Sequence, residues 1–286
     1  MNIQWYPGHM TKTRRQIEAD LKNVDMVAEI IDARIPRSSR NPDIDAIVGD
    51  KPRLIVLNRA DQADEHASRQ WRETFKRQGW AVLMTDAKTG KGVKEFSAVI
   101  QQALAPQIAR WREKGQVGRK VRVMVVGVPN VGKSTFINQV AKRKSAKAGD
   151  KPGVTRGKQW VTVDNTLELL DTPGILWPKF EDPQVGLNLA FTGAVKDDIM
   201  DTEGLACHLL ELLNAHYPQA MTERYKIDAD PSAQGWELLE RAARKRGFLI
   251  SGGEVDTQRM ANILLDEFRA GKLGRITLEW PGEETP

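Results

Sequence analysis

The 286-residue sequence has few of the features that build covalently cross-linked or membrane-spanning structures. Its single cysteine, Cys207, excludes an intramolecular disulfide and a cysteine-rich zinc site, and the apolar stretch GLACHLLELL around it predicts a buried core thiol. No apolar run reaches the about 18 residues that cross a bilayer. The N-terminus, MNIQWYPGHMTKTRRQ, lacks the apolar core of a secretory signal and is unlike an amphipathic presequence, so we expect a cytosolic protein.

Charge is unevenly divided along the chain. Residues 1–178 hold 31 Lys and Arg against 19 Asp and Glu, whereas residues 179–286 hold 12 against 19. The formal net charge of +5 therefore combines a basic part with an acidic part. Excess positive charge predicts a polyanionic partner, nucleic acid first, because each neutralised phosphate releases condensed counterions.

The basic part alternates between strand and helix patterns. Short apolar runs predict strands at MVAEIID, RLIVLN, WAVLM and VRVMVV, and a hairpin at QWVTVDNTLELLD. This alternation predicts an α/β domain over residues 1–178, with a basic N-terminal helix and a doubly wound, mostly parallel sheet. Pro106–Lys120 is polar, basic and poor in apolar periodicity, and is interpreted as a helix end and linker.

The acidic part has only helical patterns, at VGLNLAFTGAV, GLACHLLELLNAHY, GWELLERAARKRG and TQRMANILLDEFRAG. It predicts a second, smaller and largely helical domain over residues 179–286. The acidic end, EWPGEETP, is expected to be a loose tail.

A phosphate-binding pattern begins at Gly127. The segment GVPNVGKST fits G-x-x-x-x-G-K-[ST] and stands between a predicted strand and a predicted helix, the context that the pattern requires. Lys133 is expected to contact the β- and γ-phosphates, and Ser134 to ligate Mg²⁺. The residues expected to line the phosphates of the nucleotide are Asn130, Val131, Gly132, Lys133, Ser134 and Thr135.

Two further segments predict contacts with Mg²⁺ and the γ-phosphate. LLDTPG places Asp171 at the end of an apolar strand, where a carboxylate reaches Mg²⁺ through water, and Gly174 offers a backbone N–H to the γ-phosphate. In KPGVTRG, Thr155 is predicted to complete the Mg²⁺ shell when a γ-phosphate is present. The alternative for Thr155 is an ordinary turn residue.

The segment NRAD predicts recognition of guanine. Asn58 and Asp61 follow an apolar strand, and the Asp61 carboxylate can accept both N1–H and N2–H of guanine, a donor pair that adenine lacks. GTP is therefore favoured over ATP. The stem and guanidinium of Arg59, which stands where lysine is usual, could cover the base. TDAKTG would add the Ala87 N–H to the guanine oxygen, flanked by Lys88.

These elements occur in an unusual order, since the base-reading segment precedes the phosphate-binding loop. The order base-reading, base-flanking, P-loop, switch I, switch II is a circular permutation of the usual GTPase order. Permutation is tolerated when the old termini can be joined and the new ones fall at the surface. Here the join is assigned to Pro106–Lys120, and the cut follows switch II, so that switch II runs directly into the helical domain.

The sequence resembles the circularly permuted GTPases of the YlqF and ribosome biogenesis GTPase A family. The segments that carry the resemblance are WYPGHM, DARIPRSSRNP, GVPNVGKST, PGVTRG, DTPGILWPKFED and GLNLAFTGAVKD. NRAD in place of Asn-Lys-Ala-Asp, and Asp86 before Ala87, depart from the family pattern. The resemblance implies a cytoplasmic factor for late assembly of the large ribosomal subunit, with a GTPase domain and a C-terminal helical RNA-binding domain.

Hydrolysis by the protein alone is predicted to be slow. Ile175 follows DTPG, where small signalling GTPases have a glutamine that orients water. The resemblance puts His9 at the catalytic site, against the alternative of an exposed N-terminal histidine, and similar P-loops use the residue at Asn130 to support a potassium ion, against a loop-capping role. The residues expected at the catalytic centre are His9, Lys133, Thr155 and Gly174.

Basic residues predict an RNA surface. The segment KRKSAKAGDKPGVTRGK carries seven Lys and Arg against one Asp, and a second group lies at helical spacing in GWELLERAARKRG. The alternatives are a solubilising stretch and a solvated helix face. The predicted RNA-binding residues are Lys142, Arg143, Lys144, Lys147, Arg156, Lys158, Arg241, Arg244 and Lys245.

The sequence thus predicts a Mg²⁺-dependent GTPase, expected to be monomeric, that acts as a checkpoint in maturation of the large subunit, binding in the GTP state and leaving after hydrolysis. A GTP-responsive RNA-binding scaffold with negligible hydrolysis is one alternative, and a GTPase directed to the small subunit or to tRNA is another. Asn58 and Asp61 disfavour an ATPase or a small-molecule kinase.

Overall fold

The computed structural model describes residues 9–142, 159–177, 179–195 and 200–282. These residues form two compact units. The sheet unit holds the described residues of Tyr6–Lys179 together with those of Glu279–Glu284, and the helical unit holds those of Phe180–Leu278. None of the described helices is long and apolar enough to cross a membrane.

Six strands form one sheet in the sheet unit: β1 (Met26–Asp32), β2 (Arg53–Asn58), β3 (Ala81–Met84), β4 (Val121–Val126), β5 (Gln159–Thr162) and β6 (Leu167–Asp171). Their order is β3-β2-β1-β4-β6-β5, with β5 antiparallel to β6 and the other pairs parallel. Every residue of β1 and β2 is buried, as expected for parallel strands covered on both faces. The predicted α/β fold with a mostly parallel sheet is confirmed.

Helices alternate with these strands: α1 (His9–Asp20), α2 (Pro42–Val48), α3 (Glu65–Arg77), α4 (Phe96–Ala103), α5 (Ala105–Glu113) and α6 (Lys133–Lys142). The side chain of Asp64 caps α3 by accepting a hydrogen bond from Ala67 N at 2.8 Å. Four residues apart on α3, Trp71 and Phe75 stack with ring centroids 5.4 Å apart and pack in a core cluster with the β2 residue Leu57. Apolar side chains at i, i+4 therefore hold this helix on the sheet.

The predicted linker Pro106–Lys120 begins with a helix of its own. The nine-residue helix α5 has its proline in the first turn, where the missing N–H costs no hydrogen bond. Its Trp111 is buried, and the Arg119 guanidinium lies 4.0 Å from the centre of the Trp111 ring. A helix that buries one aromatic side chain leaves too weak an apolar period to be recognised in the sequence.

The helical unit contains α7 (Pro183–Phe191), α8 (Thr202–His216), α9 (Pro218–Tyr225), α10 (Gly235–Lys245) and α11 (Thr257–Arg269). Helix α8 packs against both α10 and α11. Its Leu205, Leu209 and Leu213 recur every four residues and are fully buried, which explains the contact. Cys207 lies off this stripe and is half-buried, so the prediction of a fully buried thiol is wrong.

The acidic end of the chain does not begin as a loose tail. Glu279 is only 5% exposed, and Trp71 Nε1 donates a hydrogen bond to its backbone oxygen at 2.8 Å. This residue therefore returns to the sheet unit after the helical unit, a contact between positions 208 residues apart that no local pattern indicates.

Candidate nucleotide site

Polar side chains gather where the parallel strands end. Asp32 ends β1, Asn58 ends β2 and Asp171 ends β6, and the loop that starts at Gly127 follows β4 directly. Asp32 and Asn58 are register partners across β1 and β2. Because ligands of open α/β sheets bind outside the carboxyl ends of the strands, this edge is the candidate site.

Close packing explains the glycines of the phosphate-binding loop. Gly132 has φ +93°, and a Cβ there would lie 2.4 Å from Asn58 Nδ2. At Gly127 a Cβ would lie 2.6 Å from the Ile30 carbonyl oxygen. Side chains at either position would push the loop away from β1 and β2.

Asn58 joins the phosphate-binding loop to the base-flanking loop. Its Nδ2 donates to Val131 O at 3.0 Å, while its Oδ1 accepts from Thr85 Oγ1 at 3.1 Å and from Ala87 N at 3.0 Å. A carbonyl partner requires a donor and an N–H partner requires an acceptor, so these contacts fix the amide orientation. The side chain is 2% exposed. In this structure Asn58 braces the two loops, and the Ala87 N–H predicted to meet guanine bonds to Asn58 instead.

Lys133 and Asp171 form a buried ion pair, in which Lys133 Nζ donates to Asp171 Oδ1. The two side chains are 7% and 4% exposed, and each charge compensates the other. Ser134, next to Lys133, is half-buried and Thr135 is exposed. The Ser134 hydroxyl and Asp171 carboxylate are oxygen donors of the kind that Mg²⁺ prefers, and Mg²⁺ takes the rest of its shell from water and phosphate.

Arg59 and Asp61 follow the end of β2 and lie in different surroundings. Arg59 has φ +59°, and its Nη2 donates to Asn130 O at 3.1 Å. Burial lowers the pKa of the Arg59 guanidinium, and the Asp32 charge, 3.6 Å from Arg59 Nε, opposes that shift. Asp61 is exposed overall, but partial desolvation of its carboxyl group raises the pKa of that group. The nearby Asp86 charge adds a smaller rise in this pKa. Arg59 contacts the P-loop, then, and Asp61 remains open to a ligand.

The base-flanking loop is shaped by Asp86. Its Oδ1 accepts from Lys88 N at 2.9 Å and from Thr89 N at 3.2 Å, which closes a tight turn. Lys88 O in turn accepts from Gln139 Nε2 at 3.2 Å, a contact to α6. Asp86, a departure from the family pattern, thus has a structural role in positioning Ala87 and Lys88.

Sequence reasoning missed a buried ion pair beside the site. Arg34, 1% exposed, donates to both oxygens of Asp32, from Nε at 2.9 Å and from Nη2 at 2.7 Å. Burial alone would raise the pKa of Asp32, but the charge and hydrogen bonds of Arg34 outweigh it and hold the pKa below its usual value. The signal was present, since Asp and Arg interrupt the apolar run IIDARI.

The start of switch II packs on the P-loop. Thr172 Oγ1 donates to Val125 O at 2.8 Å, and Ile175 N donates to Gly127 O at 3.2 Å. A Cβ on Gly174 would lie 3.0 Å from two backbone atoms of Pro129. Ile175 is 3% exposed, and its side chain has no polar atom with which to orient water.

Several predicted residues cannot be located in the site. His9 begins α1 and Lys142 ends α6, but their side chains lie outside the described part of the structure. The following residues lie outside it altogether: Arg143, Lys144, Lys147, Thr155, Arg156 and Lys158.

The three predicted RNA contacts on α10 lie in the helical unit. Arg241 forms an ion pair with Asp230 at 2.9 Å, and Arg244 with Glu240 at 2.6 Å. Lys245 is exposed. The positive charge of this face is therefore partly neutralised by neighbouring carboxylates.

A mostly parallel sheet whose NRAD loop precedes its phosphate-binding loop defines a circularly permuted P-loop GTPase. The sequence model of the family described as "50S ribosome-binding GTPase" matches residues 122–230 and so begins in β4, after the base-reading segment. The chain is 48% identical over 284 residues to Ribosome biogenesis GTPase A of Priestia megaterium, covering 99% of this chain and 98% of that protein. It is 34% identical to Mitochondrial ribosome-associated GTPase 1 of Mus musculus, covering 96% of this chain and 90% of that one.

Solved structures agree with the sequence relatives. GNP-bound YlqF from T. maritima superposes with a TM-score of 0.67 at 31% identity, covering 96% of this chain and all of that one. GDP-bound TM YlqF gives 0.69 at 29% identity, covering 94% and 100%. The chain belongs to the ribosome biogenesis GTPase A (YlqF) family and is a GTPase.

Proposed function

We propose that this GTPase promotes late maturation of the large (50S) ribosomal subunit, binding pre-ribosomal rRNA in the GTP state and leaving after hydrolysis. The observation that carries the proposal is the Asn58 amide, which braces Val131 of the P-loop and Ala87 of the base-flanking loop across the permuted chain order. The relatives are named Ribosome biogenesis GTPase A and Mitochondrial ribosome-associated GTPase 1, which supports a ribosomal partner.

The residues of the site have distinct proposed roles. Lys133 leaves Asp171 to contact the β- and γ-phosphates, which frees the Asp171 carboxylate to hold Mg²⁺ through water with the Ser134 hydroxyl. Thr155 completes that shell, and the Gly174 N–H meets the γ-phosphate. Mg²⁺ supplies positive charge to the transferring phosphoryl group.

The base is recognised on the other side of the site. Asp61 accepts the two N–H groups of guanine, and its exposed carboxylate supports that role. Arg59 and Lys88 flank the base, and the Ala87 N–H meets the guanine oxygen when it is released from Asn58. The phosphate-lining residues are those of the loop from Asn130 to Thr135.

Water activation depends on groups outside switch II. The buried, apolar Ile175 supports slow hydrolysis by the protein alone. We assign activation to His9 and charge compensation to a potassium ion held by Asn130, which is exposed and has a left-handed backbone (φ +59°). His9→Ala should abolish ribosome-stimulated turnover while leaving GDP affinity unchanged. Equal rates in potassium and sodium salts would remove the role of Asn130.

The basic half of the chain favours rRNA as the contact. The segment around switch I carries seven of its basic residues, so nucleotide state and RNA affinity would change together. On α10, Arg241 and Arg244 are each paired with a carboxylate, so this helix is the weaker part of the proposed RNA-binding surface. We further propose a cytoplasmic monomer with a GTPase domain over 1–178 and a ribosome-binding helical domain over 179–286.

Co-sedimentation tests the proposed partner. The protein is mixed with isolated large or small subunits in GDP or in a non-hydrolysable GTP analogue. The proposal predicts sedimentation with large subunits in the analogue and release in GDP. Sedimentation with small subunits, or with tRNA, would instead establish the alternative partner.

A further inference from the structure

The buried Glu279 carboxylate accepts hydrogen bonds from the loop that follows β1. Its Oε2 accepts from Arg37 N at 2.6 Å, and its Oε1 accepts from Ser38 N at 3.0 Å and from the Ser38 hydroxyl. Glu279 is 5% exposed, and its partners lie more than 240 residues earlier in the chain. Hydrogen bonds from successive backbone N–H groups to a buried carboxylate are strong and directional.

The loop bound by Glu279 is hydrogen-bonded to the end of β1. Ser39, next to Ser38, uses its Oγ to accept from Asp32 N at 2.9 Å and to donate to Ile35 O at 2.7 Å. The Ser39 hydroxyl thus joins both ends of the turn. The backbone N–H of Asp32, the last residue of β1, is therefore hydrogen-bonded to this turn.

The Asp32 carboxylate carries the connection to the P-loop. It is 3.6 Å from Arg59 Nε, and Arg59 Nη2 donates to Asn130 O at 3.1 Å. Asp32 is 2% exposed, so its attraction to Arg59 is weakly screened by water. A series of hydrogen bonds and one ion pair, linked covalently through Ser38–Ser39 and through Asp32 itself, therefore runs from Glu279 to the Asn130 carbonyl.

We propose that Glu279 is a positioning residue for the nucleotide site, holding the turn after β1 so that Asp32 and Arg59 keep the P-loop at Asn130 in its binding conformation. The proposal rests on the proposed placement of phosphates in this loop. Glu279 follows Leu278, the last described residue of the helical unit, so the chain returns to the sheet unit here, at a second covalent link separate from the one between Lys179 and Phe180.

Dissociation of fluorescently labelled GDP from the full chain tests the proposal. Glu279→Ala should release the nucleotide about three- to tenfold faster than the wild type, because the loop is no longer fixed. Glu279→Gln keeps one acceptor oxygen and should restore part of the wild-type rate. Release from Glu279→Ala at the wild-type rate would overturn the proposal, whereas a wild type that does not bind GDP would overturn the proposed function itself.

A matched control separates positioning from a general loss of stability. Glu267 is another buried carboxylate, 6% exposed and bonded by Arg224 and Tyr225 in the helical unit. Glu267→Ala should lower the unfolding temperature without changing GDP release. If it accelerates release as much as Glu279→Ala does, the proposal is wrong.

A double-mutant cycle tests the route itself. Asp32→Asn removes the charge that attracts Arg59, on the far side of the turn from Glu279, and Asp32 is not among the residues proposed to contact the nucleotide. If both substitutions break the same route, the double variant should release GDP little faster than the faster single variant. Fully multiplied rate effects would show that Glu279 acts elsewhere.

Discussion

Lys133 donates a hydrogen bond to the carboxylate of Asp171, and both side chains are buried. The residue expected to hold phosphates and the one expected to hold Mg²⁺ thus neutralise each other in this structure. Under the proposed function, Lys133 would exchange this pair for phosphate and Asp171 would exchange it for hydrated Mg²⁺. Such an exchange would avoid an uncompensated buried charge in either state.

Removal of one partner should destabilise the nucleotide-free protein. Lys133→Met leaves the Asp171 carboxylate buried and unpaired with lysine, and we expect a loss of about 3–5 kcal/mol in the free energy of unfolding of the sheet unit. The double variant Lys133→Met/Asp171→Leu should recover most of that loss. Urea unfolding without nucleotide measures both.

The more exposed pair of Lys120 and Glu168 is the control, with side chains 33% and 20% exposed and an N–O distance of 2.9 Å. Lys120→Met should cost no more than about 1 kcal/mol, because solvent screens the pair. Equal losses for the two lysine variants would contradict the importance of the buried pair.

Gly132→Ala should abolish nucleotide binding. The new methyl group would lie 2.4 Å from Asn58 Nδ2, so either the P-loop or the Asn58 brace must move. Gly118→Ala is a matched control, because Gly118 also has positive φ, +79°, but a Cβ there meets nothing within 4 Å. Both variants should lose about 1 kcal/mol of stability to backbone strain. Only Gly132→Ala should lose GDP affinity in titration calorimetry.

Asp61→Asn should change the preferred base. The carboxylate is proposed to accept two N–H groups of guanine, and its replacement by an amide should then cost about 1–3 kcal/mol of GDP binding. Xanthine has a carbonyl where guanine has its amino group, so the amide introduced by the substitution can donate to it and XDP should bind better than GDP. Asp50→Asn, at an exposed position outside the nucleotide loops, should retain the preference for GDP. An Asp61→Asn variant that still prefers GDP would remove Asp61 from base recognition.

GDP affinity should fall in mild acid because of the same residue. Partial burial and then the Asp86 charge raise the pKa of Asp61 above the ordinary value for aspartate. If Asp61 recognises guanine as proposed, binding needs the ionised carboxylate and should weaken as pH falls through this raised pKa, at a higher pH than for an ordinary aspartate. Asp32, whose pKa lies below its usual value, stays ionised in that range.

Titrations of GDP between about pH 7 and pH 4 measure this dependence. The affinity of the wild type should decline toward the acid end while that of Asp61→Asn stays nearly level. Parallel curves for the two proteins would assign the titration to another group.

The fold, and the grouping of several polar residues at one edge of the sheet, could be predicted because their signals are local. Apolar runs such as RLIVLN identify strands, and the strand–loop–helix context identifies the loop from Gly127. Parallel pairing then brings the carboxyl ends of the strands to one edge, which groups Asn58, Lys133 and Asp171.

The hydrogen-bond partners within the site could not be predicted, because they depend on which groups the folded chain brings together in its interior. Asn58 forms hydrogen bonds with Val131 and Ala87, and Lys133 pairs with Asp171. The contact of Glu279 with the sheet unit joins residues far apart in the chain, so no short stretch of sequence indicates it. The charge pattern of α10 likewise does not reveal that Asp230, outside the helix, pairs with Arg241.

The proposed action on the large subunit is tested by GTP turnover in potassium buffer, measured with no particle, with small subunits and with large subunits. We predict slow turnover by the protein alone and strong stimulation by large subunits only. Turnover that is indifferent to both particles would contradict it and favour a GTP-responsive scaffold, and stimulation by small subunits would contradict the assignment to the large subunit.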